Sequence, residues 1–116
     1  MNTYLILYSG GGMPASDAEQ KAVLKEWDEW FGNLGSALLD GGNPFTARAK
    51  IIASDGNVTD VPKSAMASGY SVIMADTLET AVEMAKGCPV LKGGASISVF
   101  ETFNAMGTDP LQKLEY

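Results

Sequence analysis

The residues of this chain that are best suited to hold a small molecule are aromatic. Trp27, Trp30 and Phe31 lie close together in sequence, and Tyr8 ends an apolar run near the N-terminus. Aromatic side chains offer large apolar faces to a planar ligand, but they also dominate protein cores and subunit interfaces. The three aromatic residues of the helix therefore predict either the wall of a ligand pocket, or core packing, or a dimer surface.

Asp40 and Asn43 are polar candidates that follow these rings, in the segment LLDGGNP of residues 38–44. Asp40 would serve as a general base if folding removed its carboxylate from water. Both residues are equally typical of a turn that contains glycine and proline. The candidate ligand-binding residues are therefore Tyr8, Trp27, Trp30, Phe31, Asp40 and Asn43, and no residue is assigned to catalysis.

The chain contains no histidine. This excludes Ser-His and Cys-His nucleophile pairs and any His-ligated metal. The only cysteine, Cys88, lies between Gly87 and Pro89 and is predicted to be a small buried residue. The glycine triplet at 10–12 lacks the spacing of a phosphate-binding loop and is predicted to be a flexible loop. We expect neither a metal site nor a cofactor.

Composition limits the class of partner. With 116 residues the chain is the size of one domain, and its formal net charge is −6, with the basic residues scattered along the sequence. Nucleic acids and anionic membranes are therefore not expected partners. A single cysteine suits a reducing compartment, and the apolar run at 4–8 is too short for a signal peptide or a membrane span. We expect a cytoplasmic protein.

Periodicity predicts two helices and five strands. The first helix begins at about Asp17 after a capping pattern of Ser16 and Glu19, bends or breaks near Gly32, and stops within 40–44. Its apolar face comprises Val23, Trp27, Trp30, Leu34 and Leu38. The second helix follows a similar capping pattern at Asp76 and Glu79 and stops at Gly87. The strands are predicted at 3–9, 45–53, 58–61, 69–75 and 95–103.

The predicted order of elements is β-α-β-β-β-α-β. If the short strand at 58–61 only extends a hairpin, the order reduces to β-α-β-β-α-β, which is the ferredoxin-like arrangement. We therefore predict an α+β fold with an antiparallel sheet. Residues 1–103 are predicted to form the domain, and residues 104–116 to form a C-terminal tail.

Five segments together resemble a branch of the YCII-related family, over about residues 3–103. They are the first helix and its end at 27–44 (WDEWFGNLGSALLDGGNP), the hairpin at 54–60 (SDGNVTD), the strand at 69–76 (GYSVIMAD), the helix end at 85–89 (AKGCP) and the strand at 96–101 (SISVFE). The resemblance implies a ferredoxin-like domain that pairs two sheets into a dimeric α/β barrel. It also implies a pocket between the sheet and the first helix.

Members of the best-studied branch carry a His–Asp pair in that pocket, and some act as lyases or dehalogenating enzymes on small molecules. Here the first helix presents Trp27, Asp28 and Trp30 where the histidine is expected, although Asp40 could correspond to the aspartate. The family's D-G-P-F motif is represented only by residues 60–63 (DVPK). The resemblance therefore supplies a fold and a place for a pocket, but not a reaction.

Three functions remain open from the sequence. The first is a homodimer that binds a small apolar or aromatic molecule beside the first helix. The second is a metal-independent isomerase or lyase that uses Asp40 and Tyr8. The third is a structural or regulatory module in which Trp27 and Trp30 contact another protein.

Overall fold

The computed structural model describes residues 1–11 and 16–103. In that part of the chain the elements are β1 (Asn2–Ser9), α1 (Asp17–Leu34), β2 (Leu38–Asp40), β3 (Lys50–Ile52), β4 (Val58–Asp60), β5 (Ala67–Ala75), α2 (Leu78–Ala85) and β6 (Ser96–Glu101). Short 3-10 helices lie at Gly35–Ala37, Lys63–Ala65 and Pro89–Gly93. No helix in the described residues is long and apolar enough to cross a membrane.

The main sheet has four strands in the order β2-β5-β1-β6, and every neighbouring pair is antiparallel. Because β1 and β2 are both antiparallel to β5, they run in the same direction, and α1 connects them. This split β-α-β unit, followed by α2 and β6, is the ferredoxin-like arrangement. The predicted α+β fold with an antiparallel sheet is confirmed. The division into a domain and a tail stays a prediction, since 104–116 lies outside the described residues.

The core lies on one face of this sheet. Tyr4, Ile6 and Tyr8 alternate along β1 and are buried, as are Ser71 and Ile73 on the neighbouring strand β5. Both helices contribute buried side chains to this face, namely Trp30 from α1 and Ala81 and Ala85 from α2. Alternation along a strand sends the remaining side chains to the opposite face, where Leu5, Leu7, Val72 and Met74 stay half-buried and Phe100 is exposed.

The first helix ends earlier than the sequence predicts. It runs to Leu34 without a break at Gly32, and it stops where Gly35 adopts a positive φ of 55°. Leu38 was predicted to belong to the apolar face of this helix, but it begins β2 and pairs with Ile73. The spacing of Leu38 fits both a helical face and a short edge strand, so periodicity alone places the end of the helix wrongly.

The strand predicted at 45–53 is also wrong over most of its length. Only Lys50–Ile52 is strand, and it pairs with β4 in a separate two-stranded hairpin. The strand that fills the ferredoxin-like position beside β5 is instead the short β2. An isolated bridge between Pro44 and Gly69, and a hydrogen bond of 2.8 Å from the Phe45 N–H to the Ser68 carbonyl, continue this edge.

The two predicted helix starts differ in outcome. The Ser16 hydroxyl accepts a hydrogen bond of 3.2 Å from the Glu19 N–H, which confirms the first cap. The second helix is capped by Thr77 and not by Asp76, because the Thr77 hydroxyl accepts from the Thr80 N–H at 3.1 Å. Threonine at the next position makes the same kind of cap one residue further along, on the Thr80 N–H, so the helix begins one residue later.

Candidate functional site

Four of the six candidate residues form one aromatic cluster between the sheet and α1. The Trp27 ring lies 5.4 Å from Tyr8, 5.7 Å from Trp30 and 5.5 Å from Phe31, measured between ring centroids. The Trp27 ring meets those of Tyr8 and Trp30 edge to face, an arrangement that aromatic quadrupoles favour. The structure therefore brings together Tyr8, Trp27, Trp30 and Phe31, while their binding of a ligand stays a prediction.

Helical spacing explains how α1 places its three rings. Residues three and four apart lie on one side of a helix, so Trp27 faces the sheet together with Trp30 and Phe31. The neighbours on this face, Val23 and Leu34, are partly buried, whereas Leu24, on another face of the helix, is 65% exposed. The predicted apolar face is thus confirmed up to Leu34.

Trp30 is a core residue of its own domain. Its side chain is buried, and its indole Nε1–H donates a hydrogen bond of 3.0 Å to the Met84 carbonyl at the end of α2. Gly87 lies so close that a Cβ at that position would be 3.2 Å from the indole ring. Trp30 therefore anchors α1 to α2 and leaves Trp27 and Phe31 as the partly buried rings of the cluster.

A short chain of buried hydrogen bonds supports the cluster from the sheet side. The Tyr8 hydroxyl donates to the Ser71 Oγ at 2.7 Å, and the Ser71 hydroxyl donates to the Gly41 carbonyl at 2.7 Å. Ser71 is fully buried, so these two bonds satisfy a hydroxyl group that water cannot reach. The Phe31 ring packs close to Gly41, since a Cβ at that glycine would lie 3.3 Å from the ring.

Two acidic groups in this region are held in their protonated forms. Burial raises the pKa of the Tyr8 phenol well above its usual range, and the hydrogen bond with Ser71 opposes this only in part. Burial likewise raises the pKa of the Cys88 thiol, which lies beside Tyr8, to about 11. At neutral pH Tyr8 is therefore a hydrogen-bonding phenol and Cys88 an uncharged thiol, as the predicted small buried residue should be.

Asp40 and Asn43 do not join the aromatic cluster through any recorded side-chain contact in the described residues. The Asp40 carboxylate is exposed and accepts a hydrogen bond of 2.8 Å from the Gly42 N–H, which is the turn-forming role. Asn43 is exposed, and its backbone carbonyl accepts from the Tyr70 N–H at 3.4 Å. Asp40 is therefore not a desolvated base, and ligand binding by the two side chains stays a prediction.

Ser71 and Gly42 belong to the site but were not among the residues predicted for it. Ser71 sits in a strand of apolar residues, and its alternation with Ile73 was the only signal that it faces the core. Gly42 has a φ of 73°, and a Cβ there would fall 1.7 Å from the Tyr70 carbonyl oxygen. It is therefore required for the bulged edge that presents the Gly41 carbonyl to Ser71.

Open concavities lie elsewhere in the described part of the chain. One of about 200 Å³ runs beside Trp30 and includes Glu26, Glu29 and Lys92. A larger one, of about 460 Å³, lies between the segment 44–49 and the start of β5. Between the sheet and α1 the four rings of the cluster contact one another, and Trp27 and Phe31 keep part of their surface exposed. Within the residues described, no group of histidine, cysteine, aspartate or glutamate side chains is arranged to hold a metal ion.

Fold and cluster together define an α+β domain of ferredoxin-like arrangement, with an aromatic cluster between its sheet and its first helix. A solved structure that is similar to it is 5-chloro-2-hydroxyhydroquinone dehydrochlorinase (TftG) from Burkholderia phenoliruptrix AC1100, in complex with 2,5-dihydroxybenzoquinone. The TM-score is 0.56 and the sequence identity is 14%, over 92% of this chain and 99% of that chain. At this identity the likeness shows the fold alone. No protein-family model and no curated protein sequence matches the chain.

Proposed function

We propose that this protein is a homodimer that binds a small apolar or aromatic molecule between its sheet and α1. The observation that carries the proposal is the state of Trp27 and Phe31. Both rings remain partly exposed, although they rest on buried partners, Trp30 and Tyr8. Rings that are held by buried partners and keep part of their surface exposed offer a planar ligand an apolar surface at little cost in side-chain entropy.

The fold supports this proposal in a general way. The structural neighbour, a dehydrochlorinase, is described in complex with a small quinone. Together with the segments that resemble the YCII-related family, this leads us to propose that the chain is a divergent member of that family and acts in the cytoplasm. We favour binding over catalysis because Tyr8 is a protonated phenol and Asp40 is engaged in an exposed turn.

Homodimer formation is proposed from the uncovered face of the sheet. Leu5 and Leu7 of β1 lie opposite Val72 and Tyr70 on one side and Phe100 and Ser98 on the other. Phe100 is 52% exposed, and the apolar neighbours are only partly buried. A contiguous apolar face of this kind is typical of a surface that another copy of the chain covers. Sedimentation of the wild type should show a dimer, and Leu7→Lys should produce monomers.

The ligand proposal is tested by titrating the protein with a panel of small aromatic compounds that includes 2,5-dihydroxybenzoquinone. NMR resolves the indole N–H signals of Trp27 and Trp30 separately. We expect a bound ring to shift the Trp27 signal more than the Trp30 signal, because Trp30 is buried and its N–H is already bonded to Met84.

Two variants decide the result. Trp27→Leu should weaken binding at least tenfold, because it removes the flat face but keeps an apolar side chain. Leu24→Ala is the matched control on an exposed part of the same helix and should bind normally. Equal affinity in the Trp27→Leu variant, or a panel that leaves both indole signals unmoved, would refute the proposed site.

A further inference from the structure

The concavity of about 460 Å³ at the edge of the sheet lies apart from the aromatic cluster and has a different chemistry. One side is the segment 44–49, which leaves β2, and the other is formed by Val61, Ala65 and residues 66–67 at the start of β5. Its volume is within the range of ligand sites in proteins. It is open on one side, so a small molecule can reach it from solvent.

Small side chains keep this space open. Ala49, Ala65 and Ala67 line it, and each leaves room that a larger residue would fill. The remaining apolar lining includes Phe45 and Met66, so the wall is mostly hydrocarbon. Exposed apolar surface costs roughly 25 cal/mol per Å² relative to buried surface, and an apolar ligand body would recover part of that cost.

Most residues of the segment 44–49 are exposed, and the segment is held in place by a few specific contacts. The Phe45 ring stacks on Tyr70 at 5.8 Å with an angle of 25° between the ring planes. The Thr46 hydroxyl accepts a hydrogen bond of 3.2 Å from the Arg48 N–H, which fixes a local turn. These contacts define the wall before any ligand arrives.

Among the residues that the structure describes, Arg48 is the only charged one that lines the concavity. Nearby Lys50 is paired with Asp60, but Arg48 has no ion pair within the described residues. The surroundings are also unusual for this chain. Residues 46–63 contain three basic and two acidic residues, a charge of +1, whereas the whole chain carries −6. An anion is therefore favoured here and disfavoured over most of the remaining surface.

From this combination we infer that the concavity binds a small carboxylate with an apolar body. The guanidinium of Arg48 would pair with the carboxylate in the forked geometry that arginine and carboxylates share. The apolar body would lie against Phe45 and the alanine wall. This site is independent of the one proposed beside α1, because it shares no residue with the aromatic cluster.

The probe is octanoate, with octan-1-ol as its uncharged counterpart, and binding is followed through the backbone amide signals by NMR. We expect octanoate to shift the amides of 45–49 and 65–67 while leaving the Trp27 indole signal in place. Octan-1-ol should bind at least fivefold more weakly, and added salt should weaken octanoate binding. A shift confined to the Trp27 signal would support the other site and overturn this one.

Two pairs of variants make the test specific. Arg48→Gln should weaken octanoate binding about tenfold, whereas Lys50→Gln removes the same charge two residues away, outside the lining, and should have little effect. Ala49→Leu should fill the space and abolish binding, whereas Ala53→Leu is the size-matched control outside it. Amide spectra of each variant establish that it is folded. Equal losses in Arg48→Gln and Lys50→Gln, or unchanged binding in Ala49→Leu, would overturn the inference.

Discussion

Replacement of Ser71 by alanine tests the buried chain of hydrogen bonds directly. Ser71 is fully buried and makes two bonds of 2.7 Å, one from Tyr8 and one to Gly41. Ser71→Ala leaves the Tyr8 hydroxyl without its acceptor and the Gly41 carbonyl without its donor. An unsatisfied buried polar group costs about 1–3 kcal/mol. We therefore expect the free energy of unfolding to fall by about 2–4 kcal/mol.

Tyr8→Phe should have a smaller effect. Ser71 keeps its bond to Gly41 in this variant, so the loss is that of one hydrogen bond, about 1 kcal/mol. In the Ser71→Ala background, however, Tyr8→Phe removes a hydroxyl that already lacks its acceptor. It should then cost nothing or restore some stability, so the two substitutions should be coupled by about 1–2 kcal/mol.

Urea unfolding, followed by circular dichroism at one fixed protein concentration, gives these free energies for all four members of the cycle. Ser36→Ala, at an exposed position of the 3-10 helix Gly35–Ala37, is the matched control and should change stability by less than about 0.5 kcal/mol. Additive losses in the double variant would refute the reasoning, because they would mean that Tyr8 and Ser71 do not interact. A loss in Ser71→Ala equal to that in Ser36→Ala would do the same.

Three further predictions concern the packing around the site. Gly42→Ala should abolish folding or cost at least about 3 kcal/mol, since its Cβ would strike the Tyr70 carbonyl, whereas Gly56→Ala, with open space around it, should cost about 1 kcal/mol; thermal melts compare them. Trp30→Phe should cost about 1–2 kcal/mol by urea unfolding, because Phe cannot donate to the Met84 carbonyl; a stability equal to wild type would contradict that bond. Burial raises the pKa of Cys88 from 9.0 to about 11, so the thiol stays protonated in the folded state at a pH at which it ionises in the unfolded state. The free energy of unfolding of the wild type should therefore fall, relative to that of Cys88→Ala, as the pH rises through this interval. A difference between the two proteins that does not change with pH would contradict this prediction.

The parts of the fold that the sequence predicts well are those in which pattern and burial agree. The alternation of Tyr4, Ile6 and Tyr8 matches a strand with one buried face, and the spacing of Trp27 and Trp30 matches a helix with one buried face. In both cases the same residues specify the local structure and the side that is buried. These elements therefore place the aromatic cluster correctly before any coordinates are known.

The region after α1 could not be predicted in the same way. Leu38 satisfies the helical spacing of the preceding residues, and 45–53 carries the alternation of a strand, yet the chain adopts neither structure fully. The deciding factors are the positive φ at Gly35 and Gly42 and the bridge from Pro44 to β5. Gly35 ends the helix locally, because its N–H donates to the Phe31 carbonyl. Gly42 and Pro44 depend on contacts with β5, far along the chain, and local periodicity carries no information about such contacts.

Within the candidate site, the aromatic residues were predicted better than the polar ones. Ring types and helical spacing predict one apolar face on the first helix, and the family resemblance implies that this face lies beside the sheet. A polar residue such as Asp40, by contrast, acquires a role only from what folding places around it. Here the turn leaves its carboxylate in solvent, and the buried polar partner of the cluster is Ser71, which sequence pattern treats as an ordinary strand residue.

The chemistry open to the aromatic cluster depends on the protonation states of Tyr8, which belongs to it, and of Cys88 beside it. Proton transfer near neutral pH needs a group that can accept a proton in the site, and the chain has no histidine to do so. The buried acids that face the cluster, Tyr8 and Cys88, both have raised pKa values and remain protonated. The Tyr8 hydroxyl already donates to Ser71, so what the cluster offers a small molecule is its aromatic faces. These faces are the basis of the proposal of ligand binding, whereas the structural neighbour, a dehydrochlorinase, shows only that the fold is shared.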